Sequence, residues 1–163
     1  MRAYLLSRLT DPELAHGLDS FVAQDCTTTA GLVAHIAEFD HRRLYLPAGY
    51  PSMFAYCVQK LHMSEDATYK RITAARAARE FPAIFECLAE GRLHLTGVGL
   101  LAPHLTAGNA ADLLTAAAHR TKAEIEELIA RRFPRTEEMG LIQALPGSTD
   151  TQLAPPMKTG CQR

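Results

Sequence analysis

Ser64-Glu-Asp-Ala-Thr-Tyr-Lys-Arg-Ile-Thr-Ala-Ala-Arg-Ala-Ala-Arg-Glu80 carries the fold in its spacing. Thr68, Ile72, Ala75 and Ala78 or Arg79 recur every three or four positions, the period of one face of an α-helix. Ser64 is placed to cap the free N–H groups of the first turn, and Glu65 and Asp66 suit the positive end of the helix dipole. Immediately upstream, Ser52 caps a short helix through Phe54, Cys57, Val58 and Leu61. Only His62 and Met63 then separate the two. A short helix, a two-residue turn and a capped second helix form a helix-turn-helix, here at about 53–80, whose second member projects toward solvent.

Working outward, the same punctuation repeats. Thr10-Asp-Pro-Glu13 reads as a capping box, followed by Leu14, Leu18, Phe21 and Val22 at helical spacing. A separate helix is expected over about 29–45, with Leu32, Val33, Ile36 and Phe39 on one side, until Leu46-Pro-Ala-Gly-Tyr-Pro51 breaks it. Pro82 opens a helix through Ile84, Phe85 and Leu88, and Gly91 supplies a left-handed stop. Thr96 is expected to cap the next helix, which ends near Pro103, and Thr106 the one through Leu113, Leu114 and Ala118. Thr121-Lys-Ala-Glu124 is a second capping box, ahead of Ile125, Leu128 and Ile129. No segment alternates with period two. The expected fold is therefore all-α: a compact multi-helix domain over 1–133, followed by a flexible tail over 134–163 rich in Pro, Gly, Ser and Thr.

Composition narrows the function classes. The chain has 163 residues, 47% hydrophobic and 21% charged, with no Trp. That is enough for one domain with its own core and wrong for a disordered chain. No apolar run approaches the roughly 18–20 residues of a membrane span, and the first residues lack a secretory signal, so a cytoplasmic protein is expected. The four cysteines stand far apart with no Cys-x-x-Cys pair, as reduced and mostly buried thiols would. The net charge of −1 excludes a uniformly basic coat. It conceals an acidic first quarter, −4 over residues 1–40, and a basic second quarter, +4 over residues 41–80.

That basic quarter holds the candidate site. On the Ser64–Glu80 helix, Lys70, Arg71 and Arg76 suit phosphate contact, while Tyr69 and Thr73 could reach base edges or sugar. Glu65 and Asp66 oppose them, since carboxylates repel the phosphates a helix N-terminus would approach. The partner expected is double-stranded DNA, with a homo-oligomer as the second candidate. A protein–protein or dimerisation module is the rival reading from a different class.

Two resemblances favour DNA. Leu61-His-Met-Ser64 through Leu93-His-Leu-Thr96 resembles the DNA-binding core of ParB-type partition proteins. More extensively, Arg42-Arg-Leu-Tyr-Leu-Pro-Ala-Gly-Tyr-Pro-Ser-Met-Phe-Ala-Tyr-Cys57, Leu61-His-Met-Ser-Glu-Asp-Ala-Thr-Tyr-Lys-Arg-Ile72, Phe81-Pro82 and Leu93-His-Leu-Thr96 through Leu101-Ala-Pro-His-Leu-Thr106 resemble the N-terminal helical region of a bacterial HNH endonuclease family. This likeness extends over about residues 10–133. It implies a domain that positions DNA for a ββα-metal nuclease module downstream. Residues 134–163 contain no His and a single Cys, so no catalytic residue is carried over, and a truncated or standalone form is expected. No metal or cofactor is expected either. The seven histidines form no His-Glu-x-x-His, Gly97-Val-Gly99 follows no strand, and no phosphate-binding loop is present.

Overall fold

The computed structural model describes residues 6–134, and within them every regular element is helical. A 3-10 turn at Leu6–Arg8 leads into α1 (Asp11–His41). There follow α2 (Met53–Ala55), a π-helical turn at Tyr56–Lys60, α3 (Glu65–Glu80) and α4 (Ala83–Ala89). The chain continues through α5 (Leu95–Leu101), a 3-10 turn at Ala102–His104, α6 (Ala110–Ala117) and α7 (Lys122–Arg132). The expected all-α architecture is what is found. The expected tail lies outside the described residues, apart from Pro134. No helix among the described residues is long and apolar enough to cross a membrane.

The largest correction concerns α1. Two helices were expected on either side of Cys26-Thr-Thr-Thr29, and one continuous helix of 31 residues runs through. The threonine run lowers helix propensity but contains neither Gly nor Pro to end it. The Thr27 hydroxyl also donates to the Ala23 carbonyl, 3.0 Å away, so it bonds within the helix and does not compete with it. The helix stops at His41, earlier than the pattern suggests, because Arg43 turns into the left-handed region (φ 53°).

α3 is the central element. It packs against the second half of α1, against α5 and, more lightly, against α2 and α4. Thr68, Ile72, Ala75 and Ala78 are buried as their spacing implies, and so are Ala74 and Ala77. Four small side chains let α3 be covered on two sides, since alanines allow neighbouring helix axes to approach closely. Ile84, Leu101, Leu113, Ile125, Val33 and Val98 fill the rest of the core. Cys57 and Cys87 are buried free thiols, and burial pushes both above the ordinary thiol range.

Helix ends follow the sequence in most places. Ser52, Ser64 and Thr121 accept from Ala55, Ala67 and Glu124 backbone N–H groups, and Gly91 takes φ 69° after α4. Two caps differ from expectation. α5 is capped by His94, whose Nδ1 accepts from the Gly97 N–H at 2.9 Å, rather than by Thr96. α6 begins at Ala110 behind Asn109, not at Thr106, because the Asn109 carboxamide accepts from Thr106 N–H and donates to the His104 carbonyl. That clamp holds residues 104–109 as a turn.

Candidate nucleic-acid interface

Tyr69, Lys70, Arg71, Thr73 and Arg76 all lie on α3, but the fold divides them between two sides of it. Tyr69, Thr73 and Arg76 share one face, with Tyr69 67% exposed. They line a shallow depression of about 180 Å³ with Tyr45, Ser52 and Phe54. Lys70 and Arg71 border a different cleft, of about 410 Å³, between α1, α3 and the start of α5, opposite Asp25 and beside His94. Serial positions on a helix diverge by about 100° per residue, which is why neighbours in sequence separate here.

The cations are partly engaged within the domain. Lys70 Nζ donates to Asp66 Oδ2 at 2.8 Å, one turn back on the exposed surface. Arg76 Nε donates to Asp40 Oδ2 at 2.9 Å, tying α3 to the end of α1. That hydrogen bond holds the Arg76 guanidinium above its ordinary range. Arg79 and Arg42 converge on Glu38, and the Arg42 hydrogen bond is the main reason that carboxyl sits below its ordinary value. Arg71 donates through Nη1 to the Ala67 carbonyl at 3.3 Å, while its buried Nε has no partner among the described residues.

Carboxylates share the outer face. Glu65, Asp66 and Glu80 are exposed along the same side of α3 as Tyr69 and Arg76. The Lys70–Asp66 pair is exposed and contributes little to stability, so Lys70 can exchange its carboxylate for a phosphate at small cost, whereas Arg76 is held more firmly because the Asp40 side chain is only 15% exposed. The exposed carboxylates limit how closely a polyanion approaches.

The sequence reading missed Tyr45 and Phe54, which flank Tyr69 in the depression. The clue was available in Tyr45 and Phe54 as aromatics beside a Pro/Gly turn, a setting from which bulky side chains often remain at the surface. Among the described residues, no three His, Cys, Asp or Glu side chains gather as metal ligands would. No family model, curated protein or solved structure matches the chain.

Proposed function

We propose that this domain binds double-stranded DNA through the Ser64–Glu80 helix, α3, using Tyr69, Lys70, Thr73 and Arg76, as the DNA-positioning part of a protein resembling HNH endonucleases. One observation carries the reading. Behind a tight turn and a Ser64 cap, α3 presents an exposed tyrosine with a hydroxyl side chain and a guanidinium on the same face. Tyr69 and Thr73 offer contacts to sugar or base edges, and Arg76 and Lys70 offer phosphate contacts from either side. The nearby carboxylates make the expected affinity modest and steeply dependent on salt.

Fluorescence anisotropy of a labelled duplex at two salt concentrations tests this. Replacing Lys70 and Arg76 together by Ala is expected to weaken binding on all sequences alike and to flatten the salt slope by about two units. Replacing Glu65 by Gln and Asp66 by Asn is expected to do the reverse. Absence of binding to the wild-type chain at low salt, or indifference of affinity to both pairs of changes, overturns the reading.

The alternative, an interaction module without DNA contact, is favoured by a separate observation. The first half of α1 carries an exposed apolar stripe that nothing among the described residues covers.

A further inference from the structure

Leu14, Leu18, Phe21 and Val22 are 45% to 72% exposed on the part of α1 that extends past the body as an arm. Leu14, Leu18 and Phe21 have counterparts on the second half of the same helix: Leu32, Ile36 and Phe39 stand eighteen residues on in each case. Eighteen residues are five whole turns at about 3.6 residues per turn, so both triplets lie along one line of the helix surface. On the second half this line borders an apolar groove, completed by Met53, Tyr56 and Leu61. One helix thus carries an apolar ridge and an apolar groove, end to end.

We propose that two copies of the chain pair antiparallel along α1, each arm lying in the groove of the other copy. The inference names a partner for the α1 surface of the interaction-module reading, and rests on that surface alone. α1 is unbroken, so an arm cannot fold back onto its own groove, whereas the arm of a second copy can reach it. With a two-fold axis near Cys26, Leu14 meets Phe39 and Phe21 meets Leu32, while Leu18 lies over the groove at the level of Ile36, which is itself buried in the groove floor, and the contact repeats itself in reverse. Charge agrees with this register. Residues 6–25 hold Asp11, Glu13, Asp19 and Asp25 against Arg8, whereas on the groove half Glu38 and Asp40 are already paired with arginines, and Arg43 after α1 and Lys60 before the groove residue Leu61 enter no ion pair among the described residues. A specific interface requires about 1,000 Å² or more in total, so the pairing needs both arms and both grooves engaged at once. Asp25 opposes the pairing, because the two copies of it approach each other near the axis.

Sedimentation velocity on the full chain, from about 1 to 200 µM, spans the range in which a micromolar dimer dissociates. A reversible dimer is expected. Leu18→Glu with Phe21→Glu is expected to weaken it about a hundredfold or more, since both apolar contacts are lost in each copy. Leu61→Glu, in the groove, should also yield a monomer, and Asp25→Asn should tighten the dimer severalfold by relieving repulsion. These side chains are exposed in the single chain, so helicity and melting temperature at low concentration should be retained in each variant. A wild-type monomer throughout the range overturns the proposal. So does a dimer that survives the arm changes, or one that is lost with the arm changes but unaffected by Leu61→Glu, which would place arm against arm. Duplex anisotropy on the same variants separates this outcome from the fate of the DNA reading: dimer-breaking changes should leave contacts by Tyr69 and Arg76 in place.

Discussion

The two halves of α1 are written in nearly the same apolar spacing and meet opposite fates. From Ala30 onward the helix is clamped by α3 and α4, with Val33 fully buried and Ile36 only 2% exposed. Within α1, no residue before Asp25 is buried. The difference lies in the neighbours and not in the helix itself. A periodic stripe specifies which side of a helix is apolar, but what covers it depends on elements far away in sequence. Among the described residues, the body supplies that cover for one half of α1 and not for the other.

The contrast is broken most strongly by truncating matched side chains. Ile36→Ala should cost about 2–5 kcal/mol, because it removes packed methylenes and leaves a cavity. Leu18→Ala, measured at a concentration where the chain is monomeric, should change stability by no more than about 0.5 kcal/mol. Chemical denaturation of both variants checks the pair. Similar losses at the two sites would mean that the arm is packed after all.

Glycines sharpen the same comparison with opposite signs. A Cβ at Gly97 would lie 2.9 Å from Ile125 Cδ1 and 3.3 Å from His94 Cε1, where α5 meets α7 and its own cap. Gly97→Ala should therefore destabilise by about 1–3 kcal/mol through overpacking. Gly17, in the arm, has nothing within 4 Å of such an atom. Gly17→Ala should stabilise the arm by about 0.5–1 kcal/mol, as an alanine does in a helix interior. Amide exchange in residues 11–25 reads the second effect even if global melting does not.

Within the body, Thr68 is wholly buried and its hydroxyl has no hydrogen-bond partner among the described residues. Thr68→Val keeps the shape and removes an unpaired polar group, so a gain of about 1 kcal/mol in thermal or chemical denaturation is expected. A loss would show that the hydroxyl is paired in solution.

The smallest effect concerns the capping boxes that open α1 and α7. Glu13 and Glu124 each accept from the backbone N–H and the hydroxyl of Thr10 and Thr121, which holds both carboxyls below their ordinary value of 4.5. A lowered folded-state value stabilises fully above the unfolded value and is lost as pH falls through the folded one. Acidification below about 4.5 should thus loosen both boxes. Glu124→Gln should lower the melting temperature slightly at neutral pH and reduce its acid dependence. Glu13→Gln should fray only the start of the arm, visible in amide exchange.

Much of this architecture was legible because helix ends are local chemistry. Ser52, Ser64, Thr121, Pro82 and Gly91 each act within a few residues of their own position, and each is found where its neighbours placed it. Features created by distant partners were not legible. The close approach of α7 to Gly97 comes from residues far along the chain, and His94 caps α5 because its ring nitrogen reaches Gly97 in the folded turn. The join between the two expected halves of α1 was misread because three threonines weaken a helix without stopping it. On α3 the inward face followed from spacing. The split of Lys70 and Arg71 from Tyr69, and the pairing of Arg76 with Asp40, required knowing where α1 and α5 lie.

The proposed DNA contact runs along α3 from Tyr69 to Arg76. An amide-correlation NMR titration of the chain with a short duplex at low salt tests it most directly, because it reports position as well as binding. The account predicts shifts concentrated at residues 64–76, greatest around Tyr69 and Thr73, that vanish as salt is raised and are absent in the Lys70→Ala, Arg76→Ala variant. Shifts centred on Arg131 and Arg132, or a spectrum unchanged by excess duplex, would contradict it.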